Sequence, residues 1–167
     1  MRRMLLISFL LMLGSAQAAD KVELTTRVSG VVENVLVSPG QKVKKDEVLL
    51  RLNKEIFKAR VDEATAELDG LRADEAEARR ELDRAQELFS RTVSSTSELD
   101  AAKLRHVRAQ SALRVAEARL IVANKSLADT ELRAPFAGVV SAVPAAPGVV
   151  VTAECQPRTL VALSRRR

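Results

Sequence analysis

The sequence predicts an α+β fold in which a long antiparallel α-helical coiled-coil hairpin is inserted into a small β-sandwich. The Val-rich phrase SGVVENVLVSPGQKV at residues 29–43 returns as AGVVSAVPAAPGVVV at residues 137–151, an offset of 108 residues. Between the two copies, residues 54–131 contain a single Gly, no Pro and apolar residues at heptad spacing. A strand-forming repeat is therefore interrupted by a helical segment.

Residues 1–18 have the pattern of a cleaved secretory signal peptide. Arg2 and Arg3 form a basic start, residues 5–13 are apolar, and residues 16–18 read Ala-Gln-Ala, an A-x-A cleavage signal. The apolar run is too short to span a bilayer. We therefore expect export of the chain, with a retained membrane anchor as the alternative.

The first half of the repeat, residues 22–52, predicts a group of short strands because it is rich in Val and Thr. Gly30 suits a bend. Ser38-Pro39-Gly40-Gln41 has Pro second and Gly third, which is the type II turn arrangement.

The second half of the repeat, residues 132–163, has Gly138 and Gly148 at the equivalent positions. Its last strand is displaced by three residues, so that Leu163 corresponds to Leu52. Each half alone is too small to bury a core. We therefore expect the two halves to pack face to face about an approximate two-fold axis.

Alternating steps of three and four residues define two heptad seams within residues 54–131. The first seam comprises Val61, Ala64, Leu68, Leu71, Glu75, Ala78, Leu82, Ala85 and Phe89, and the second comprises Leu99, Ala102, His106, Ala109, Leu113, Ala116, Leu120, Ala123 and Leu127. The S-x-x-E pattern at residues 95–98 predicts the start of the second helix. Glu75 and His106 interrupt the seams, and a role in helix register is favoured over metal binding because the lone His has no second ligand at helical spacing.

The composition argues against several classes of function. The 167-residue chain has one Cys and one His, no Trp, no Tyr and a formal net charge of +5. Cys155 therefore forms no internal disulfide, and the basic tail at residues 164–167 is read as a solvated end. The mixed charges and missing aromatic residues do not favour a nucleic-acid partner. No catalytic motif is present, so we expect no enzyme activity, no cofactor and no metal.

The stretches VSGVVENVLVSPGQKVKKDEVLLRL and LRAPFAGVVSAVPAAPGVVV resemble the halves of the split biotinyl/lipoyl-like domain of periplasmic adaptor proteins. These adaptors, also called membrane fusion proteins (HlyD/RND type), belong to tripartite efflux pumps and related exporters. The resemblance covers nearly all of the chain after residue 18. In lipoyl carriers the turn between the halves presents a modified lysine. Here the hairpin replaces that turn, so the resemblance implies a structural domain without a prosthetic group, and Lys54 is read as a solvated lysine at a helix start.

Arg84, Leu88 and Ser95 resemble the tip motif of the drug-efflux branch, R-x-x-x-L-x-x-x-x-x-x-S, followed here by Leu99-Asp100. In that family the tip docks onto a TolC-type outer-membrane channel. An arginine fork can bind carbonyls or carboxylates, a leucine can fill a groove, and a serine can donate a hydrogen bond. The structural alternative makes these residues a solvated arginine, a seam neighbour and a helix N-cap.

The resemblance implies a periplasmic adaptor subunit that assembles into a ring or tube, as a hexamer or together with another adaptor. About ten residues lie between the predicted signal and Gly30, and four follow Leu163. The β-barrel and membrane-proximal domains of full-length adaptors are therefore not expected here, which leaves contact with an inner-membrane transporter open. The alternatives are an envelope scaffold that uses the hairpin for protein–protein interaction, a truncated adaptor without independent function, and an acyl-carrier domain.

Overall fold

The computed structural model describes residues 21–153 and 158–165. The predicted signal peptide, Cys155 and the last two arginines lie outside these residues. The described elements are β1 (Lys21–Leu24), β2 (Gly30–Val35), β3 (Lys42–Val43), β4 (Val48–Leu52), α1 (Glu55–Ser90), α2 (Thr96–Ala128), β5 (Glu131–Arg133), β6 (Gly138–Ala142), β7 (Val150–Val151) and β8 (Val161–Arg165). The predicted α+β class, with a helical hairpin inserted between strands, is confirmed. Among the described helices, none has the length and apolarity needed to cross a bilayer.

The two helices pack against each other along the predicted seams. The buried seam residues are Ala64, Leu68 and Ala78 on α1 and Leu99, Ala102 and Ala116 on α2. Four of these six are alanines, and small side chains at the contact let two helix backbones approach closely. Phe89 departs from the pattern with 41% of its surface exposed, because it is the penultimate residue of α1.

Two four-stranded antiparallel sheets form the base, in the orders β1-β8-β6-β3 and β5-β4-β2-β7. Each sheet contains two strands from either half of the repeat, so the halves do not pack face to face as separate units. Each half donates an equivalent hydrogen bond to the other half. The amide of Gly40 donates to the carbonyl of Val140 at 2.8 Å, and the amide of Gly148 donates to the carbonyl of Val32 at 2.8 Å. The two bonds are related by the 108-residue offset, so the expected approximate two-fold symmetry is present. It relates strands that are shared between the two sheets and not two separately folded halves.

The core of the base lies between the two sheets. Its most deeply buried side chains belong to both halves and include Val32, Leu49, Leu50, Leu52, Val140, Leu160, Val161 and Leu163. The predicted three-residue displacement is visible in the register, since Val32 is opposite Leu52 while Val140 is opposite Leu163. Neither half of the repeat has a core of its own.

Gly40 and Gly148 occupy equivalent turns that require positive φ. Their φ angles are 86° and 82°, a conformation that glycine adopts without steric cost. Each turn is closed by a hydrogen bond across four residues, from Gln41 to Ser38 at 3.1 Å and from Val149 to Ala146 at 3.2 Å. These are type II turns with Pro and Gly at the central positions.

Gly30 and Gly138 do not form turns, although the sequence places them among the turn glycines. They are the first residues of β2 and β6. A Cβ atom on Gly138 would lie 2.6 Å from the carbonyl oxygen of Ser164, whereas one on Gly30 would lie 3.6 Å from the nearest atom of Leu52. Close approach of β8 therefore explains the glycine at 138, while the same position in the first half has room for a side chain.

The hairpin leaves and re-enters the base at adjacent points. The amide of Leu52, at the end of β4, donates to the carbonyl of Thr130 at 2.8 Å. Thr130 is buried, and its hydroxyl donates to the carbonyl of Leu127 in the last turn of α2. Lys54 is exposed and immediately precedes α1, which agrees with its reading as a solvated lysine at a helix start.

Candidate functional site

The free end of the hairpin is a five-residue connection, 91–95, between α1 and α2. Thr92 has φ of 61°, its amide donates to the carbonyl of Phe89 at 3.0 Å, and the amide of Val93 donates to the carbonyl of Leu88 at 3.0 Å. This pair of bonds is a Schellman motif, which usually has Gly where Thr92 stands. A β-branched residue in the left-handed region is strained, and such strain is found most often at functional sites.

The start of α2 is fixed by the predicted capping box. The amide of Glu98 donates to the hydroxyl of Ser95 at 3.3 Å, and the amide of Ser95 donates to the carboxylate of Glu98 at 2.9 Å. Ser94 adds its hydroxyl to the same carboxylate at 2.8 Å. The hydrogen bonds from the backbone of Ser95 and from the Ser94 side chain hold the pKa of Glu98 below its ordinary value.

Arg84 and Leu88 lie one turn apart on α1 and line one shallow groove at the tip. The groove has a volume of about 450 Å³ and also contacts Val93, Ser94 and Glu98. Arg84 is 61% exposed and makes one ion pair, at 3.3 Å, with Glu77. The carboxylate of Glu77 is hydrogen-bonded chiefly by Arg80 and secondarily by Arg84, and both lower its pKa. The outer edge of the Arg84 guanidinium is thus open to a partner.

The structure brings Arg84 and Leu88 together but assigns Ser95 to a different task. Ser95 is the N-cap of α2, and its neighbours Ser94 and Glu98, rather than Ser95 itself, line the groove. The groove thus combines an arginine, a carboxylate and apolar side chains. Polar and apolar groups are therefore exposed side by side in this groove.

Two exposed apolar residues at the tip were not predicted from the sequence. Val93 is 73% exposed and Phe89 is 41% exposed, next to Leu88 at 46%. Together Leu88, Phe89 and Val93 form the tip apolar cluster. The signal in the sequence is one valine inside the Ser/Thr-rich stretch SRTVSSTSE. It directly follows the left-handed residue of the Schellman motif, a position where an apolar side chain often contacts the last turn of the helix.

Within residues 21–153 and 158–165, no group of three or more His, Cys, Asp or Glu side chains is placed to hold a metal ion. The single described His is bonded to Glu75 across the two helices.

Comparison with known proteins agrees with this architecture. Over 123 residues the chain is 34% identical to the uncharacterized protein YdhJ of Escherichia coli (strain K12), a match covering 74% of this chain and 43% of YdhJ. Over 125 residues it is 30% identical to the efflux pump periplasmic linker BepF of Brucella suis biovar 1 (strain 1330), covering 75% of this chain and 30% of BepF. The crystal structure of MacA from Actinobacillus actinomycetemcomitans shares the fold with a TM-score of 0.75 at 21% identity, covering 86% of this chain and 48% of MacA.

A strand repeat that interlocks at the base and is split by a helical hairpin defines a barrel-sandwich hybrid. Residues 20–160 match the family model of the CzcB-like, barrel-sandwich hybrid domain. The chain belongs to this family, and its predicted resemblance to periplasmic adaptor proteins is confirmed. The chain spans less than half the length of the curated relatives YdhJ and BepF.

Proposed function

We propose that the protein is a periplasmic adaptor subunit of a tripartite efflux or secretion system and that its hairpin tip docks on a TolC-type outer-membrane channel. The observation that carries this proposal is the groove shared by Arg84, Leu88 and Val93 at the far end of the hairpin. Support also comes from the similarity to BepF, whose name describes an efflux pump periplasmic linker. The predicted signal peptide would deliver the chain to the periplasm.

In this proposal the adaptor performs no chemistry. Several copies, six by family resemblance or fewer in company with another adaptor, stand side by side on their interlocked bases. Their hairpins form a conduit toward the channel, while an inner-membrane transporter supplies the substrate. Arg84 would bind carbonyl or carboxylate groups of the channel through its free donors, and the tip apolar cluster would be covered on docking.

The docking claim is tested by crosslinking in intact cells. In a Cys155→Ser background, a cysteine introduced at Val93 or Ser94 is expected to crosslink to cysteines at the periplasmic end of the channel. A cysteine at Arg79, which is exposed on α1 nearer its middle, is the matched control and is expected to remain uncrosslinked. An exported, folded chain with no crosslink at the tip would refute docking.

The variant Arg84→Ala distinguishes the adaptor function from the envelope-scaffold alternative. Because Arg84 is mostly exposed and its one ion pair is at the surface, the substitution should leave folding unchanged. Under the adaptor function it should weaken tip crosslinking and raise the sensitivity of cells to the exported compounds. Unchanged export with unchanged crosslinking would favour the scaffold, and Arg79→Ala serves again as the control.

A further inference from the structure

One charged side chain of the groove at the tip, Glu98, has no oppositely charged partner among the described residues. The charged side chains that line this groove are Glu81, Arg84, Glu98 and Arg105. Glu81 and Arg105 pair with each other, and Arg84 pairs with Glu77, which lies outside the groove. Within residues 21–153 and 158–165, no cationic nitrogen lies within 4.0 Å of the Glu98 carboxylate.

The two oxygens of the Glu98 carboxylate are used unequally. Oε2 accepts a hydrogen bond from the Ser94 hydroxyl at 2.8 Å and another from the Ser95 amide at 2.9 Å. Oε1 has no donor in the described part of the chain, and the side chain is exposed. The capping box therefore holds the carboxylate through one oxygen and leaves the other oxygen free to accept from a partner.

The capping box also prepares Glu98 for binding. A glutamate side chain that is already fixed loses less rotamer freedom when it forms a new contact, which lowers the entropic cost of association. The hydrogen bonds from Ser95 and Ser94 hold the pKa of Glu98 below its ordinary value, so the carboxylate is ionised at neutral pH. An ionised acceptor forms stronger hydrogen bonds with cationic donors than a neutral acceptor does.

The groove carries opposite charges on its two helices. Arg84 on α1 bonds to Glu77 through Nη2, and its Nε and Nη1 donors are free of other described residues. Glu98 on α2 keeps Oε1 free. The charged atoms of Arg84 and Glu98 are more than 4.0 Å apart although both side chains line the groove, so neither charge neutralises the other.

We propose that Glu98 binds a lysine or arginine side chain of the docking partner, while Arg84 binds a carboxylate or carbonyl group on the same partner surface. The inference rests on the proposed channel docking, and it adds a binding residue and the charge that the channel presents to it. A partner in the reversed orientation would bring like charges together on both helices. The two charges therefore fix the orientation in which the partner docks.

The variant Glu98→Gln separates the charge from the cap. Glutamine serves a capping box as glutamate does, so the unfolding midpoint at neutral pH should change little although the charge is removed. With the crosslinking cysteine at Val93, we expect the crosslink to the channel to form about three- to tenfold more slowly in intact cells. An unchanged rate would overturn the proposal.

The matched control is Asp83→Asn, which removes the same charge near the tip. Asp83 is exposed, it does not line the groove, and it has no cationic group within 4.0 Å among the described residues. Its variant should crosslink at the rate of the unsubstituted tip. An equal loss of crosslinking in both variants would show an effect of net charge alone and would contradict a specific contact at Glu98.

Charge reversal with rescue in the partner keeps the proposal falsifiable if Glu98→Gln loses stability. Glu98→Lys should slow crosslinking by at least about tenfold, because it places like charges together. Changing the facing basic residue at the periplasmic end of the channel to glutamate should restore the rate, and a substitution in another protein cannot repair a folding defect in this chain. If no basic residue at that end of the channel gives rescue, the proposal is wrong.

The Arg84 side chain of a second copy is the alternative source of a cation, because a surface that carries both charges can pair with itself. Sedimentation equilibrium of the purified mature chain without a channel tests this alternative. We expect no self-association that depends on the two charges. Self-association that Arg84→Ala and Glu98→Gln both abolish would assign Glu98 to a contact between two tips and would overturn the proposal.

The outcomes also separate this inference from channel docking itself. A tip that never crosslinks with Glu98 in place would refute the docking and the inference together. Crosslinking that depends on Arg84 but is indifferent to Glu98 would refute the inference alone and leave the adaptor function standing.

Discussion

Glu75 on α1 and His106 on α2 are hydrogen-bonded to each other across the hairpin, with 3.0 Å between Oε1 and Nε2. Each side chain is 20% exposed, and each stands where its own heptad seam is interrupted by a polar residue. The two interruptions are thus one interaction. A partly buried polar pair of this kind fixes the alignment of two helices, because any slip would leave both groups without a partner.

Replacing one partner of this pair should lower the free energy of unfolding more than replacing both. We expect His106→Leu to lower the free energy of unfolding by about 1–3 kcal/mol, because it leaves the half-buried Glu75 carboxylate unpaired. Glu75→Leu combined with His106→Leu should recover most of that loss, since apolar residues can replace a buried polar pair. Urea denaturation of the wild type, both single variants and the double variant measures the coupling. Strict additivity would contradict an interaction between the two side chains.

Gly138 and Gly30 should respond differently to the same substitution. Gly138→Ala forces a Cβ atom against the carbonyl oxygen of Ser164, at 2.6 Å, and is expected to cost about 1–3 kcal/mol through overpacking. Gly30→Ala has space beside Leu52 and is the matched control, with little expected loss. Thermal unfolding of the two variants decides the matter. Equal destabilisation by the two variants would contradict the prediction that only Gly138 is required by a close contact.

The strain at Thr92 should be measurable as a gain in stability on its removal. Thr92→Gly keeps the Schellman hydrogen bonds and relieves a β-branched residue at positive φ, so we expect stabilisation of up to about 1 kcal/mol. Ser94→Gly, which removes a side chain in the same connection, should not stabilise the chain. If the strained residue serves docking, Thr92→Gly should also weaken tip crosslinking while it raises the unfolding midpoint. A destabilised Thr92→Gly variant would argue against strain at this position.

Ser95 acts as a helix cap, and this role is separable from any contact with a partner. Ser95→Ala is expected to lower stability by about 1 kcal/mol, while Ser95→Asp should retain most of it because aspartate is also a good N-cap. Urea denaturation measures both. Weak crosslinking by the alanine variant together with normal crosslinking by the aspartate variant would assign Ser95 to capping alone. Loss of crosslinking in both, with the aspartate variant stable, would assign it a direct contact.

The capping box also predicts a pH dependence. The pKa of Glu98 is lowered from 4.5 in the folded chain, so its contribution to stability is fully present above that pH and is lost as pH falls through the lower folded value. Glu98→Gln should therefore reduce the slope of stability against pH below about 4.5 and leave it unchanged near neutrality. Urea titrations at a series of acidic pH values measure the slope. An identical acid slope in the variant would contradict the prediction.

Heptad spacing predicted which residues face across the hairpin, because side chains three and four positions apart share one helix face. Ala64, Leu68 and Ala116 are buried as that rule requires. The pairing of Glu75 with His106 depends on the relative level of two helices, which the connection between them sets. Spacing within either helix carries no information about that level.

In the base, the sequence repeat predicted the strands and turns but did not predict how the strands pair. The repeat predicted the strands and the turns at Gly40 and Gly148, since a type II turn needs specific residues at its centre. It did not predict that β2 pairs with β7 and β3 with β6, because the halves could satisfy the same apolar pattern as separate units. At the tip, Arg84, Leu88 and Ser95 were predictable as a motif, whereas the exposure of Val93 depends on the geometry of the Schellman motif.

The interlocked base has a consequence for the order in which the chain folds. Strands from one half find partners a hundred positions away, as Gly40 does with Val140, and contacts of such long range are slow to form. The hairpin is built from contacts between neighbouring helices, and once it has closed, Leu52 and Thr130 are already in hydrogen-bonding distance at 2.8 Å. Formation of the hairpin therefore brings the two halves of the base close together before their strands pair. A destabilising substitution in the middle of the hairpin is therefore expected to slow the formation of the two sheets, although it contacts neither of them.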